Sequence, residues 1–216
     1  MIKIPKVIHF IWIGPNLCPY SQNIASYRLH NPNWRIKIWD NNNLPDIKNK
    51  WLYERMTSWA AKADVLRLEI LYNEGGIYTD CDSICLRSLD SLVDNLECFG
   101  MQGNGGGVQN AFMGATPKHP AFEKIVYGLE SHAKELAKTK VNKKKGTSVF
   151  RIAGWRYITP ILRADPTYTQ LDEGCEPGER KLLGTIRDHR VFESGYVVQY
   201  NDGSWWNEKA LKRIKL

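Results

Sequence analysis

The sequence predicts a single α/β domain whose central sheet is mixed, mostly parallel and flanked by helices. Three stretches point there. Val7–Ile13 (VIHFIWI) is a near-continuous apolar run, as expected of a strand covered on both faces. A helical stretch and a second strand-like segment follow, all within about 40 residues, the span of a right-handed βαβ unit with parallel pairing. Trp59–Cys85 then reads as a helix, a glycine stop and a short buried strand. A chain of 216 residues, 43% hydrophobic and 25% charged, suits one globular domain with a sizeable core.

Gly14-Pro15 ends the first strand. Pro19–His30 reads as a helix, with Tyr20 or Ser21 near its start and Asn31-Pro32 stopping it. Trp34–Trp39 (WRIKIW) alternates as a strand and runs into an Asp-Asn turn, Asp40–Asn43. Leu44–Met56 is a weakly patterned connection, read as helical. Ala61, Val65, Leu68 and Tyr72 then fall on one helical stripe. Gly75-Gly76 follows the last turn, where a left-handed residue is wanted. Ile77, Tyr78 and Thr79 are β-branched or aromatic and favour a strand, which Asp80-Cys81-Asp82 closes.

Beyond the acidic pair, Ser83–Ser88 is expected to be extended, and Leu89–Leu96 leads to a strand at Glu97–Met101. Gly103–Gly107 (GNGGG) reads as a turn without the preceding strand and following helix of a dinucleotide fingerprint. Ala121–Ala137 is a long amphipathic helix, Lys138–Gly146 a basic loop, Phe150–Ala164 a turn and helix, and Tyr168–Arg187 irregular.

Composition bounds the function. No apolar run approaches the ~20 residues of a membrane-spanning helix. The apolar N-terminus is interrupted by Pro5, Lys6 and His9 and lacks an A-x-A site, so it reads as a strand and the expected location is cytoplasmic. Five cysteines without a C-x-x-C pair fit a reducing compartment rather than a disulfide framework or a zinc knuckle. Net charge is +7, with basic residues gathered in Lys138–Lys145 and the tail Lys209–Lys215. Nucleic acid, an anionic membrane surface or a phosphorylated substrate would each suit that charge. The tail spaces Leu211, Ile214 and Leu216 among cations, either a short amphipathic helix in peripheral contact with the inner face of a membrane or a solvated helix end.

The chemistry concentrates at Asp80 and Asp82. In an extended segment both project with Tyr78, and two carboxylates so close repel unless a cation neutralises them. A hard divalent ion does so, completed by waters and substrate phosphates. Alone, the tripeptide equally suits a solvated acidic turn. Asp64 and Arg67, three apart on the central helix, share a face and could grip one ligand or form a simple ion pair.

The context decides between these readings. ADVLRLEILYNEGGIYTDCD resembles the signature of the DXD-containing sugar transferases. That group holds the yeast-type initiating α-1,6-mannosyltransferases, the lactosylceramide α-1,4-galactosyltransferases and, more distantly, the glucosyltransferase domains of the large clostridial toxins. IPKVIHFIWIGP, NPNWRIKIWD, the N-x-x-M-x-x-x-P-x-H-P segment from Asn110 and YVVQYNDGSWW are similar to further family segments, so the likeness runs between residues 2 and 205. It implies one Rossmann-like GT-A domain over residues 1–216, with a nucleotide-sugar half (1–101) and an acceptor half with a closing C-terminal loop (102–216).

The resemblance also assigns roles. Trp12, a core residue on its own showing, becomes the platform for the nucleotide base, beside Ile13. Asp64 and Arg67 hold the donor sugar's hydroxyls, Tyr78 and Asp80 line the donor site, and Asn110 lies near sugar and acceptor. Asp80 and Asp82 carry Mn²⁺ (or Mg²⁺), with Asp202 and Ser204 adding oxygen ligands, while Ser204, Trp205 and Trp206 face the diphosphate. Two departures stand out. Ala153-Gly154-Trp155 replaces a T-G-P turn, and Gln199 or Tyr200 replaces the usual histidine of H-x-x-x-G-S-W.

The activity implied is retaining, metal-dependent transfer of a hexose from a UDP-sugar or GDP-mannose. Its acceptor would be a glycan or lipid-linked saccharide, in polysaccharide biosynthesis, and nucleic acid is not an expected partner. A metal-dependent nucleotidyltransferase would want a glycine-rich loop with Lys after the first strand, which IGPNLCP does not supply. A nucleic-acid binder would work through the basic loop and tail and ignore Asp80 and Asp82.

Overall fold

A computed structural model describes residues 3–103, 106–139, 147–171, 195–199 and 213–214. Its centre is a six-stranded sheet. The strands are β1 (Val7–Ile11), β2 (Arg35–Trp39), β3 (Gly76–Thr79), β5 (Cys98–Gln102), β6 (Val108–Ala115) and β8 (Tyr168–Leu171), in the order β2-β1-β3-β6-β5-β8. β2, β1 and β3 run parallel, β5 and β8 run parallel, and β6 lies antiparallel to both neighbours. The sheet is therefore mixed and mostly parallel, as expected. Helix α1 (Ser21–His30) completes the βαβ unit between β1 and β2.

Alternation along the strands feeds two cores, one on each face. Ile8, Phe10 and Ile77 pack with Tyr27 of α1 and with Leu92 and Val93 of α4 (Asp90–Asn95). Ile11 and Tyr78 turn the other way, toward α3 (Trp59–Glu74), α5 (Pro120–Lys138) and α7 (Trp155–Arg163). The expected stripe on α3 is buried, but so are Asp64, Leu66, Arg67, Glu69, Ile70 and Leu71, so the helix is enclosed on nearly all sides. Ser58 caps its start by accepting from the Ala61 N–H. At its end Gly75 and Gly76 have φ of +65° and +91°, and a Cβ on Gly76 would stand 2.6 Å from the Val7 carbonyl oxygen. The glycine pair thus stops the helix and lets β3 enter tight against β1.

Several connections differ from the sequence reading. Within Leu44–Met56 only α2 (Lys50–Arg55) is helical. The glycine turn does follow a strand, β5, and leads into another, β6, so it is a hairpin loop rather than a phosphate cradle. Tyr168–Leu171 is a strand because its backbone pairs with β5, a long-range contact that YTQL does not advertise. In the tail, Arg213–Ile214 forms a short strand, β10, antiparallel to β7 (Thr147–Ser148), where a helix was expected. Its two residues satisfy their backbone across a pairing no local pattern reveals. Val149–Ile152 forms α6. The short strands β4 (Ser83–Cys85) and β9 (Val197–Gln199) pair antiparallel outside the main sheet. Most of the basic loop 138–146 lies outside the described residues, and no described helix is long and apolar enough to cross a membrane.

The middle residue of β1 is His9, with no exposed surface. Its Nδ1 accepts from the Trp39 indole N–H (3.2 Å), which leaves Nε2–H to donate to the Gly75 carbonyl (2.9 Å). Burial pushes its pKa down to about 4 from an ordinary 6.5. The unfolded chain therefore binds the proton first, and stability falls as pH falls from 6.5 toward 4. We expect a loss of about 2 kcal/mol between pH 7.5 and 5 from this residue, read by urea unfolding alongside an NMR titration. Protonation of His9 near 6.5 in the folded protein would contradict it.

Candidate active site

β1 and β3 run parallel, so their carboxyl ends open on the same edge of the sheet, where open α/β sheets hold ligands. There the chain forms a cavity of about 540 Å³. One wall is the end of β1 and the loop after it, with Trp12, Ile13 and Tyr20; the other is Trp59 and Ala63 of α3. Arg67, Tyr78, Asp80 and Asp82 also line it. Trp12 is partly exposed, fixed by its indole N–H to the Asn16 carbonyl (2.8 Å) and edge-on to Tyr20 at 5.6 Å. It lines this cavity, at the end of β1. Trp59 and Tyr20 were not singled out from sequence, although an aromatic at the first position of the central helix was the available signal.

The acidic segment is a turn, not a continued strand. The Ser83 N–H (3.3 Å) and hydroxyl (2.6 Å) both donate to the Asp80 carbonyl, and the Asp80 N–H donates to Ala111. Asp82 therefore reaches the cavity through the turn rather than by strand alternation. Between the two carboxylates, Cys81 sets its Sγ 3.5 Å from the Ile11 carbonyl and shares a hydrogen bond with the Cys18 thiol. The turn is thereby tied to the first strand and its loop.

Asp64, Arg67, Tyr78, Asp80 and Asn110 form one connected network. Arg67 Nη2 lies 3.2 Å from Asp64 Oδ1, and Nη1 lies 3.1 Å from Asp80 Oδ1. Nη1 also donates to the Asn110 carbonyl (2.6 Å), and the guanidinium lies over the Tyr78 ring at 4.5 Å. The Asn110 side-chain amide donates to Asp64 Oδ1 (2.8 Å), and the Tyr78 hydroxyl donates to Asp80 Oδ1 (2.6 Å). Gln199, from β9, donates to Asp80 Oδ2 (3.0 Å). Burial raises the Asp64 pKa to about 6, with Asp80 adding to the rise while Arg67 and Asn110 oppose it. For Arg67 burial works against the charge, but Tyr78, Asp80, Asp64 and Asp82 hold its pKa above the ordinary value.

Asp80 and Asp82 could hold a hard divalent cation only with waters or phosphates completing the shell. Among the described residues no group of three or more His, Cys, Asp or Glu could hold a metal alone. Asp202, Ser204, Trp205 and Trp206 lie outside the described residues.

Residues 20–98 match the family described as the glycosyltransferase sugar-binding region containing DXD motif. This stretch is similar to a DXD glycosyltransferase region. That region spans α1 to the start of β5 and contains Asp64, Arg67, Tyr78 and both aspartates of the turn. Inositol phosphoceramide mannosyltransferase 1 of Schizosaccharomyces pombe is 30% identical over 60% of this chain and 44% of its own length. Inositol phosphoceramide mannosyltransferase 2 of the same yeast is 28% identical over 96% of this chain and 59% of its own. The chain thus spans about half the length of these relatives. Among solved structures, the PaToxG glycosyltransferase superposes with a TM-score of 0.59 at 20% identity over 76% of this chain and 70% of that one. The UDP-bound glycosyltransferase domain of the YGT toxin gives 0.58 at 10% identity, over 79% and 80%. Such identities speak for the fold, which is the GT-A glycosyltransferase fold the DXD region led us to expect.

The network makes Arg67 the counter-charge for two carboxylates. Arg67→Met should destabilise the protein by about 3–5 kcal/mol in urea unfolding, because Asp64 and Asp80 keep their burial and lose their cation. Arg67→Lys should cost less, and an unchanged midpoint for the Met variant would mean that solvent screens the site.

Proposed function

We propose that this chain is a metal-dependent, retaining hexosyltransferase. It takes its sugar from a UDP-sugar or GDP-mannose and passes it to a glycan or lipid-linked saccharide. The observation that carries this reading is the convergence of Asp80, Asp82 and Arg67 on one cavity at the carboxyl ends of β1 and β3, with Asp64 and Asn110 bonded to each other and to Arg67 beside it.

The cavity has room for a nucleoside, and Trp12 offers a flat face for its base, worth roughly 1–3 kcal/mol. Asp64 uses Oδ1 for both Arg67 and Asn110 beside the cavity lining, and its Oδ2 would be the atom to accept from a sugar hydroxyl. A divalent cation on Asp80 and Asp82 would supply positive charge where the leaving diphosphate gains negative charge. Among the described residues lining the cavity the carboxylates are Asp80 and Asp82, and both would serve the metal. With neither free as a nucleophile, the proposed retention would proceed by attack of the acceptor on the leaving-group face.

Two curated relatives are named for mannosyl transfer to inositol phosphoceramide, which supports a lipid-linked acceptor and a hexose donor. Leu17, 94% exposed on the loop at the cavity's rim, would give such an acceptor apolar surface near the mouth.

The test is a thermal-shift screen of UDP- and GDP-sugars with and without Mn²⁺. A donor at a hundred times its Kd should stabilise the native state by about 2.7 kcal/mol, and only with the metal present. Asp82→Asn should abolish the metal-dependent part and turnover; no shift with any nucleotide sugar overturns the reading. Trp12→Ala should raise the donor KM about tenfold with little change in kcat, measured by steady-state hydrolysis.

A further inference from the structure

Gln199 is the last residue of β9 and sits opposite Ser83 of β4, so this strand pair carries a C-terminal side chain to the acidic turn. The residue is 6% exposed, and its Nε2 donates to Asp80 Oδ2 at 3.0 Å. Beside a carboxylate the amide has to present nitrogen, since oxygen would face oxygen. Its own Oε1 is therefore turned away, and it has no hydrogen-bond partner among the described residues.

Counting acceptors on Asp80 gives this contact its meaning. An ionised carboxylate offers about four lone-pair positions. Oδ1 spends two, on the Tyr78 hydroxyl and Arg67 Nη1. Oδ2 spends one on Gln199. Among the described residues these contacts leave a single position, on Oδ2, for the cavity. We infer that Gln199 is a positioning residue. By occupying one side of Oδ2 it sets the direction of that remaining lone pair, so Asp80 meets the cation or a metal-bound water through one oxygen and in one orientation. A neutral amide does this without adding charge and at any pH. The inference rests on the metal-dependent reading above and adds to it an orienting group from the far end of the chain.

Mn²⁺ binding to the full chain, followed by electron paramagnetic resonance of the free ion with UDP or GDP present, tests it. Gln199→Met keeps the volume without the N–H, and Gln199→Asn keeps the amide one methylene short of Asp80. Both should bind Mn²⁺ about 10–100-fold more weakly, with kcat/KM falling in step and circular dichroism unchanged. If either folded variant binds Mn²⁺ within twofold of the parent while Asp82→Asn does not bind it, the role of Gln199 is wrong and the metal site stands. If Asp82→Asn also binds normally, the metal reading fails and this inference with it. The unsubstituted protein gives an independent readout should both variants misfold. Mg²⁺ with UDP or GDP should shift the Gln199 side-chain amide resonance, and a resonance that stays put counts against the inference.

Discussion

Arg67 reaches from the middle of α3 across to the end of β3, and its side chain is only 7% exposed. An arginine there would be costly by itself, as would Asp64 and Asp80 beside it. Together they are tolerated because the planar guanidinium meets both carboxylates and the Asn110 carbonyl at once. Everything else about the site follows from this arrangement. α3 has to be enclosed to place the cation, the glycine pair has to let β3 lie tight against β1, and β6 has to present Asn110 from the neighbouring strand. The fold is a frame that delivers three side chains and the Asn110 carbonyl to one charge.

This arrangement also weighs between the functional classes the sequence left open. Nucleic-acid binding through solvated cations would not need a buried, fully committed arginine held between carboxylates. A nucleotidyltransferase would want a phosphate-gripping glycine loop after β1, but the loop there lines a pocket with Pro15, Leu17 and Pro19. The glycine-rich segment elsewhere is a hairpin between β5 and β6.

Much of this was legible in the residues. The apolar run of β1, the βαβ spacing and the Gly-Gly stop are local signals, and local signals survive folding intact. Asp64 with Arg67 could be paired because a separation of three matches helix geometry, and Asp80 with Asp82 because they lie two apart, although strand alternation was the wrong reason. What could not be read depends on partners far along the chain. YTQL becomes a strand only because β5 lies beside it, and 213–214 only because of β7. The carboxylates' engagement with Asn110 and Gln199 likewise comes from other strands. The turn at Asp80–Ser83 was misread as extended because its stabilisers, the Ser83 hydroxyl and the Ala111 carbonyl, declare themselves only in three dimensions.

The contact between Gln199 and Asp80 joins residues 119 positions apart. Closing a loop of that length has an entropic cost of about 4 kcal/mol, which the β4–β9 pair and the packing of Tyr196 and Val197 have to offset. On the ribosome, the sheet from β1 to β6 can be complete while this strand is still unmade. The scaffold from β1 to β6 is thus able to mature well before Asp80 meets Gln199.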